Sequence, residues 1–313
     1  MSEPGAPLPR SWSLWLLECA FSLVAARSFA AGEAGVRWLA RVTPPAPPAA
    51  PRGAEPLAGA PPLCPTHVFE AGASASDAAA VSVLYLPGGA YALPASSLHP
   101  ALCARLAAAL AAATGARARV ALAHYPLSLS RPAGVGPRAT LDAAEAALRA
   151  LAAAAPGARL VIAGDSAGGG LALALALLSP WCDVSLSLAA EMRPLEARCC
   201  MLRVEGLAAA GRLYCNAGGE GGCGARDAAA SPLFGEMRGL PPVTLAVGTR
   251  ELLLPEGRAL RAALAAAGVR VTYIEEGLPH VWPLFAGAGV PEGERGLAAV
   301  VAALAADLGP AAG

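Results

Sequence analysis

From about residue 66 to the C-terminus, short apolar runs alternate with longer stretches dominated by Ala and Leu. The short runs predict strands at Val81–Leu86, Val120–Tyr125, Arg159–Ala163, Val243–Val247 and Val269–Glu275. The longer stretches predict helices at Pro100–Ala113, Ala139–Ala154, Gly168–Leu178, Pro255–Ala267 and Glu292–Leu308. Strand and helix in alternation give an α/β chain with a mostly parallel sheet covered on both faces. In such sheets the chemistry gathers at the carboxyl ends of the strands.

One place breaks the rhythm. Between Gly170 and Ser179 lies only the run Leu171–Leu178. Eight helical residues rise about 12 Å, and a crossover to a parallel strand takes about a dozen residues or more. The run therefore reads as a helix or as the next strand, but not both, and its Ala/Leu content favours helix. A core strand after that helix is expected to be missing or displaced. Asp183–Leu188, with Val184, Leu186 and Leu188 alternating with polar neighbours, is the nearby substitute.

The N-terminal part follows a different pattern. Residues 11–31 are rich in Trp, Leu, Phe and Val but are interrupted by Glu18 and Arg27. A membrane span wants about 20 apolar residues with few or no charges. Arg10 alone precedes the run as a positive charge and Glu3 opposes it, a poor signal-peptide start. The reading is an amphipathic helix packed near the mouth of the site, with a cytoplasmic location favoured and membrane association through 11–31 as the alternative. Residues 43–65 hold nine prolines, from Pro44 to Pro65, and read as an extended linker. The expected organisation is an N-terminal segment 1–65 and an α/β domain 66–309 with a cap or insert around 181–230. The Gly309–Gly313 tail is expected to fray.

Composition narrows the chemistry. The formal net charge is +0, so no basic field exists to hold nucleic acid. The chain contains no lysine, which excludes a Schiff base, a Walker-type phosphate loop and a Ser-Lys dyad. Its 8 cysteines are scattered without a C-x-x-C pair, so they read as buried thiols rather than metal ligands. No cofactor motif is found: the glycines at 164–170 do not match G-x-G-x-x-G.

Those glycines carry another signal. Gly164-Asp165-Ser166-Ala167-Gly168 follows the apolar strand Leu160–Ala163 and precedes a helix-forming run. This is the context of a nucleophile elbow, G-x-S-x-G, which lifts a serine hydroxyl above the sheet. Of the 4 histidines, His67, His99 and His124 precede the serine, and only His280 comes after it, in a loop behind a strand. Serine, then acid, then histidine is the chain order such an elbow requires. The acid belongs after Val243–Val247, where Glu251 stands. Glu256 is the alternative, although Pro255-Glu256 reads better as the first turn of a helix. Backbone donors for an oxyanion are expected from Gly88 and Gly89, just after Val81–Leu86, and from Ala167.

Together these motifs resemble the hormone-sensitive-lipase-like α/β-hydrolases, the fold-3 esterases that include arylacetamide deacetylases and steryl acetyl hydrolases. The resemblance runs from about 81 to 305. Gly164–Gly170 is similar to the family's G-D-S-A-G-G motif, Leu86–Tyr91 to its H-G-G-G-Y motif, Glu251-Leu252-Leu253 to its D/E-x-L motif and Gly277–His280 to its G-x-x-H motif. Ser179-Pro180-Trp181 and Ala230–Leu233 are similar to further landmarks. Pro87 stands where the family has histidine, Ala90 at its third glycine and Pro255 at its second acid. The resemblance implies an α/β-hydrolase fold and hydrolysis of a small hydrophobic carboxylic ester through an acyl-serine, without a cofactor. The alternatives are a non-catalytic small-molecule-binding homologue, like a plant hormone receptor of this fold that lacks the histidine, or an inactive chain with a deleted core strand.

Overall fold

The computed structural model describes residues 11–43, 51–72, 81–129, 134–172, 176–217 and 223–309. The expected fraying beyond Gly309, the charges at Glu3 and Arg10, and the prolines of 44–50 lie outside these residues.

Among the described residues, eight strands form one sheet in the order β1-β2-β4-β3-β5-β6-β7-β8. They are β1 Glu55–Pro56, β2 Thr66–Ala71, β3 Val81–Leu86, β4 Ala118–Ala123, β5 Arg159–Asp165, β6 Ala176–Leu178, β7 Val243–Arg250 and β8 Val271–Pro279. The β1–β2 and β2–β4 pairs are antiparallel, and every pair from β4 to β8 is parallel. All six residues of β3 are buried, so helices cover both faces there and the strand reads as an apolar run interrupted only by Ser82. The expected strands and helices appear with ends shifted by a few residues, except Gly168–Leu178, of which the first part is helix and Ala176–Leu178 is a strand. The helices of this part are α4 Leu98–Thr114, α5 Pro137–Ala154, α6 Ser166–Ala172, α9 Leu254–Ala266 and α10 Pro291–Leu308. The sheet also reaches into the Pro-rich stretch, since β1 lies within 43–65.

The expected gap in the sheet is not there. Both α6 and β6 exist, and β6 pairs in parallel with β5 on one side and β7 on the other. The reason is register. Ala176 sits opposite Ala163, so β6 enters beside the last three residues of β5 rather than beside Arg159. The crossover is spared a return of about 13 Å along β5, at roughly 3.3 Å per residue. The seven-residue α6 then suffices. Asp183–Leu188 is accordingly not a strand but a series of turns. Asp183 organises it by accepting the Ser185 and Ser187 amides, each at 2.8 Å.

The N-terminal segment is folded against the rest. Helix α1 (Trp12–Phe21) passes through a π-turn at Ser22–Ala26 into α2 (Arg27–Ala30), and α3 (Gly32–Val42) follows. Between β6 and β7, α7 (Ala189–Met192) and α8 (Val204–Asn216) form the region read as a cap, and α2 and α3 pack on α8. Ser11 fixes the start of α1: its amide and hydroxyl donate to the Glu292 carboxylate at 2.6 and 2.7 Å. Farther along, Glu18 faces Arg250 at 3.5 Å, and Phe21 stacks on Phe285. The outer face remains apolar: Trp12 is 80% and Leu16 60% exposed. Trp12–Ala30 is long and apolar enough to cross a membrane, and most of it is not buried against the rest of the fold.

Candidate active site

Four neighbouring strands each deliver one polar side chain at the first position past their carboxyl ends. Ser166 follows β5, Ser179 follows β6, Glu251 follows β7 and His280 follows β8. The pairing of Arg250 with Pro279 sets the last two side by side, and an irregularity after Gly248 brings that register about. All four residues are buried.

The elbow forms because the chain must reverse within one residue. Ser166 sits at φ 49°, in the left-handed region that an L-residue occupies only when its surroundings demand it. A Cβ on Gly168 would overlap the Leu86 carbonyl oxygen, so only glycine lets the helix start this close to β3. Ser179 at φ 47° and Val281 at φ 51° repeat the strain on the neighbouring loops. Left-handed valine is a marked outlier, which shows how firmly the loop behind His280 is held.

Ser166, His280 and Glu251 meet. His280 Nε2 lies 3.0 Å from Ser166 Oγ, and Nδ1 contacts Glu251 Oε2. A carboxylate at Nδ1 fixes the hydrogen there and leaves Nε2 as the acceptor for the serine hydroxyl. Glu251 Oε1 takes the Gly248 amide and the Ser179 hydroxyl, the latter at 2.8 Å. Ser179 Oγ in turn accepts the Val281 amide at 3.0 Å, tying the acid's loop to the histidine's loop. Glu256 does not touch His280. It is buried at the start of α9, where its Oε2 accepts the Cys182 and Asp183 amides at 2.9 and 3.1 Å. Burial pushes its carboxyl well above the ordinary carboxylate range.

The expected donor Gly88 is a correction. Its amide is taken by Asp165 Oδ1 at 3.0 Å and is not available to a substrate. Its place beside the serine is nevertheless tight: a Cβ there would overlap the Asp165 carboxylate and lie 3.0 Å from Ser166 Cβ. The amides of Gly89 and Ala90 meet no acceptor among the described residues. Ala167 is fully buried in the first turn of α6, where amides lack intrahelical partners.

Two further residues were not singled out from the sequence. Tyr85 and His99 converge on the same Asp165 oxygen, at 3.0 and 3.2 Å. Ser179 was noted as part of a landmark, without a role. Among the described residues, no group of three or more His, Cys, Asp or Glu side chains is placed to hold a metal ion.

Comparison with known proteins places this geometry in a family. The model of the family described as alpha/beta hydrolase fold matches residues 83–284. An acetyl-hydrolase of Streptomyces hygroscopicus is 33% identical over 69% of this chain and 72% of its own length. An esterase of Acinetobacter venetianus is 28% identical over 69% and 72% of the two chains. A crystal structure of a hormone-sensitive lipase from a metagenome library superposes with a TM-score of 0.70 at 26% identity, covering 96% of this chain and 100% of that one. The chain belongs to the alpha/beta hydrolase fold family, among its hormone-sensitive-lipase-like esterases.

Proposed function

We propose that the protein hydrolyses carboxylic esters through an acyl-serine intermediate on Ser166, with His280 as base and Glu251 as the acid that orients it. The observation that carries this is the unbroken line of contacts from Ser166 Oγ through both imidazole nitrogens to the Glu251 carboxylate. In the first step Ser166 Oγ attacks the ester carbonyl carbon while His280 Nε2 takes the hydroxyl proton. The carbonyl oxygen becomes an oxyanion, and the amides of Gly89, Ala90 and Ala167 are the donors that receive it. Its collapse breaks the bond to the leaving alkoxide, which takes the proton from His280. Water then gives a proton to Nε2 and attacks the acyl carbon, and the carboxylic acid leaves as Ser166 regains its hydrogen.

A small hydrophobic ester is the substrate class this reading takes, and the acetyl esters suggested by the Streptomyces relative's name are one example. The presence and placement of His280 favour an enzyme over a receptor that only binds. The test is a panel of p-nitrophenyl esters from acetyl to palmitoyl, with Ser166→Ala as control. The proposal expects turnover on short acyl chains that vanishes in the variant; hydrolysis that survives Ser166→Ala unchanged overturns it.

A further inference from the structure

The loop that would receive the oxyanion is short of local support. Pro87 has neither an amide hydrogen nor a polar side chain, and the next residues are strained. Ala90 and Tyr91 both sit in the left-handed region, at φ 52° and 58°. Such conformations persist only when their surroundings hold them.

Several contacts hold the loop. The Tyr125 hydroxyl donates to the Pro87 carbonyl at 2.6 Å, the Leu93 and Ala92 amides to the Gly89 carbonyl at 2.8 and 3.0 Å, and the Ser128 amide and hydroxyl to the Tyr91 carbonyl at 2.8 and 3.0 Å. The one beside the serine is the Gly88 amide on Asp165 Oδ1. Asp165 can serve only while its own orientation is fixed. It is 2% exposed, and burial alone would raise its carboxyl. His99, the Gly88 amide and the Tyr85 hydroxyl, all donating to it, outweigh that and hold it below the usual range. His99 is itself aimed from behind. The Ser96 amide donates to its Nδ1 at 2.9 Å, so Nε2 carries the hydrogen that points at Asp165. His99 enters from the first turn of α4 and touches none of Ser166, His280 or Glu251 among its hydrogen-bond partners.

We propose that His99 is the positioning residue of the oxyanion loop: through Asp165 it fixes the Gly88 amide and thereby sets where the Gly89 and Ala90 amides point. This rests on the ester-hydrolase reading above for its catalytic consequence, but not for its structural one. A displacement of about 1 Å at a reacting centre costs about a hundredfold, and losing one oxyanion donor costs about 10²–10³.

The test compares the full-length wild type with His99→Leu and His99→Gln. The glutamine amide nitrogen can reach where Nε2 lies. Two properties are read: steady-state kinetics with inhibition by a trifluoromethyl ketone that forms the oxyanion adduct, and hydrogen exchange of the Gly88 amide. In His99→Leu, kcat is expected to fall about ten- to a hundredfold with KM nearly unchanged. The inhibitor should weaken by a similar factor and Gly88 should exchange faster. His99→Gln should recover most of each. If the leucine variant does not fold, His99→Asn, whose amide is one bond too short, replaces it in the same contrast. Unchanged kcat and inhibitor affinity in a folded leucine or asparagine variant overturn the proposal. Failure of glutamine to differ from leucine overturns it equally, because packing would then be the cause. If the wild type hydrolyses no ester, the functional reading fails, and the Gly88 exchange rates still decide this one.

Discussion

Ser179 offers a sharp perturbation because its hydroxyl does two things at once. It donates to Glu251 Oε1 at 2.8 Å and accepts the Val281 amide at 3.0 Å, with the side chain fully buried. Removing it leaves a buried amide unpaired, at about 1–3 kcal/mol, and weakens a bond to a charged group worth about 1.5–3 kcal/mol. The stability loss expected for Ser179→Ala is therefore about 3–5 kcal/mol. Turnover should suffer less than from loss of the acid, because Glu251 keeps the Gly248 amide and its contact with His280 Nδ1. A fall of about ten- to a hundredfold in kcat, with KM held, fits a loosened acid that still fixes the tautomer. Ser179 sits at φ 47°, so glycine at this position relieves backbone strain while also lacking the hydroxyl. Ala and Gly variants should then share one kcat but differ in Tm, with glycine about 1 kcal/mol the more stable. Stopped assays on a p-nitrophenyl ester and thermal unfolding of both variants check this. A glycine variant with wild-type turnover refutes the reasoning, for the backbone and not the hydroxyl would then be what matters.

Glu251→Gln should lower turnover by about 10⁴, the cost of replacing an orienting acid by its amide, whereas Glu256→Gln should change turnover little; the reverse order would hand the acid's role to Glu256. Because burial holds the Glu256 carboxyl above its ordinary range, wild-type stability from that group is present below its unfolded value of 4.5 and lost as pH rises. The Tm advantage of Glu256→Gln should therefore widen above that pH, and a constant difference contradicts it. His124, with His67 Nδ1 3.2 Å from its Nε2, is depressed by burial from 6.5 to about 4. Its neutral form stabilises the fold above pH 6.5, and that contribution is lost as pH falls toward 4, by up to about 3 kcal/mol. Urea titrations at several pH values should show a flatter acid limb for His124→Gln; parallel curves count against the assignment. For the proposed membrane association through 11–31, replacing Trp12, Trp15, Leu16 and Leu23 by serine should reduce co-sedimentation with lipid vesicles at least about a hundredfold, given roughly 1.5–3 kcal/mol per large apolar side chain buried; wild type that stays in the supernatant contradicts it.

What the sequence made legible is what depends on local pattern and chain order. The elbow at Ser166 could be read because strand, motif and helix are contiguous, and His280 and Glu251 because each follows a recognisable apolar strand. β6 could not, because three residues are too few to show a period and its register beside Ala163–Asp165 is a tertiary fact. The Gly88 assignment failed for a related reason: no sequence pattern shows that the carboxylate of Asp165 occupies its amide. His99 is not legible because the order serine, acid, histidine draws attention only to a histidine after Ser166, while in the fold His99 is 4% exposed and meets Asp165. β1 was hidden by prolines, which an edge strand tolerates where a central one does not.

The most direct test of the account is the mass of the protein after reaction with diethyl p-nitrophenyl phosphate, whose phosphoryl group a nucleophilic serine captures and does not readily release. The serine reading predicts a single diethylphosphoryl adduct, release of one equivalent of nitrophenol and loss of esterase activity in step with labelling. Peptide mapping should place the adduct on Ser166, and Ser166→Ala should take up none. An adduct on any other residue, or ester hydrolysis that persists in the fully labelled protein, would contradict it.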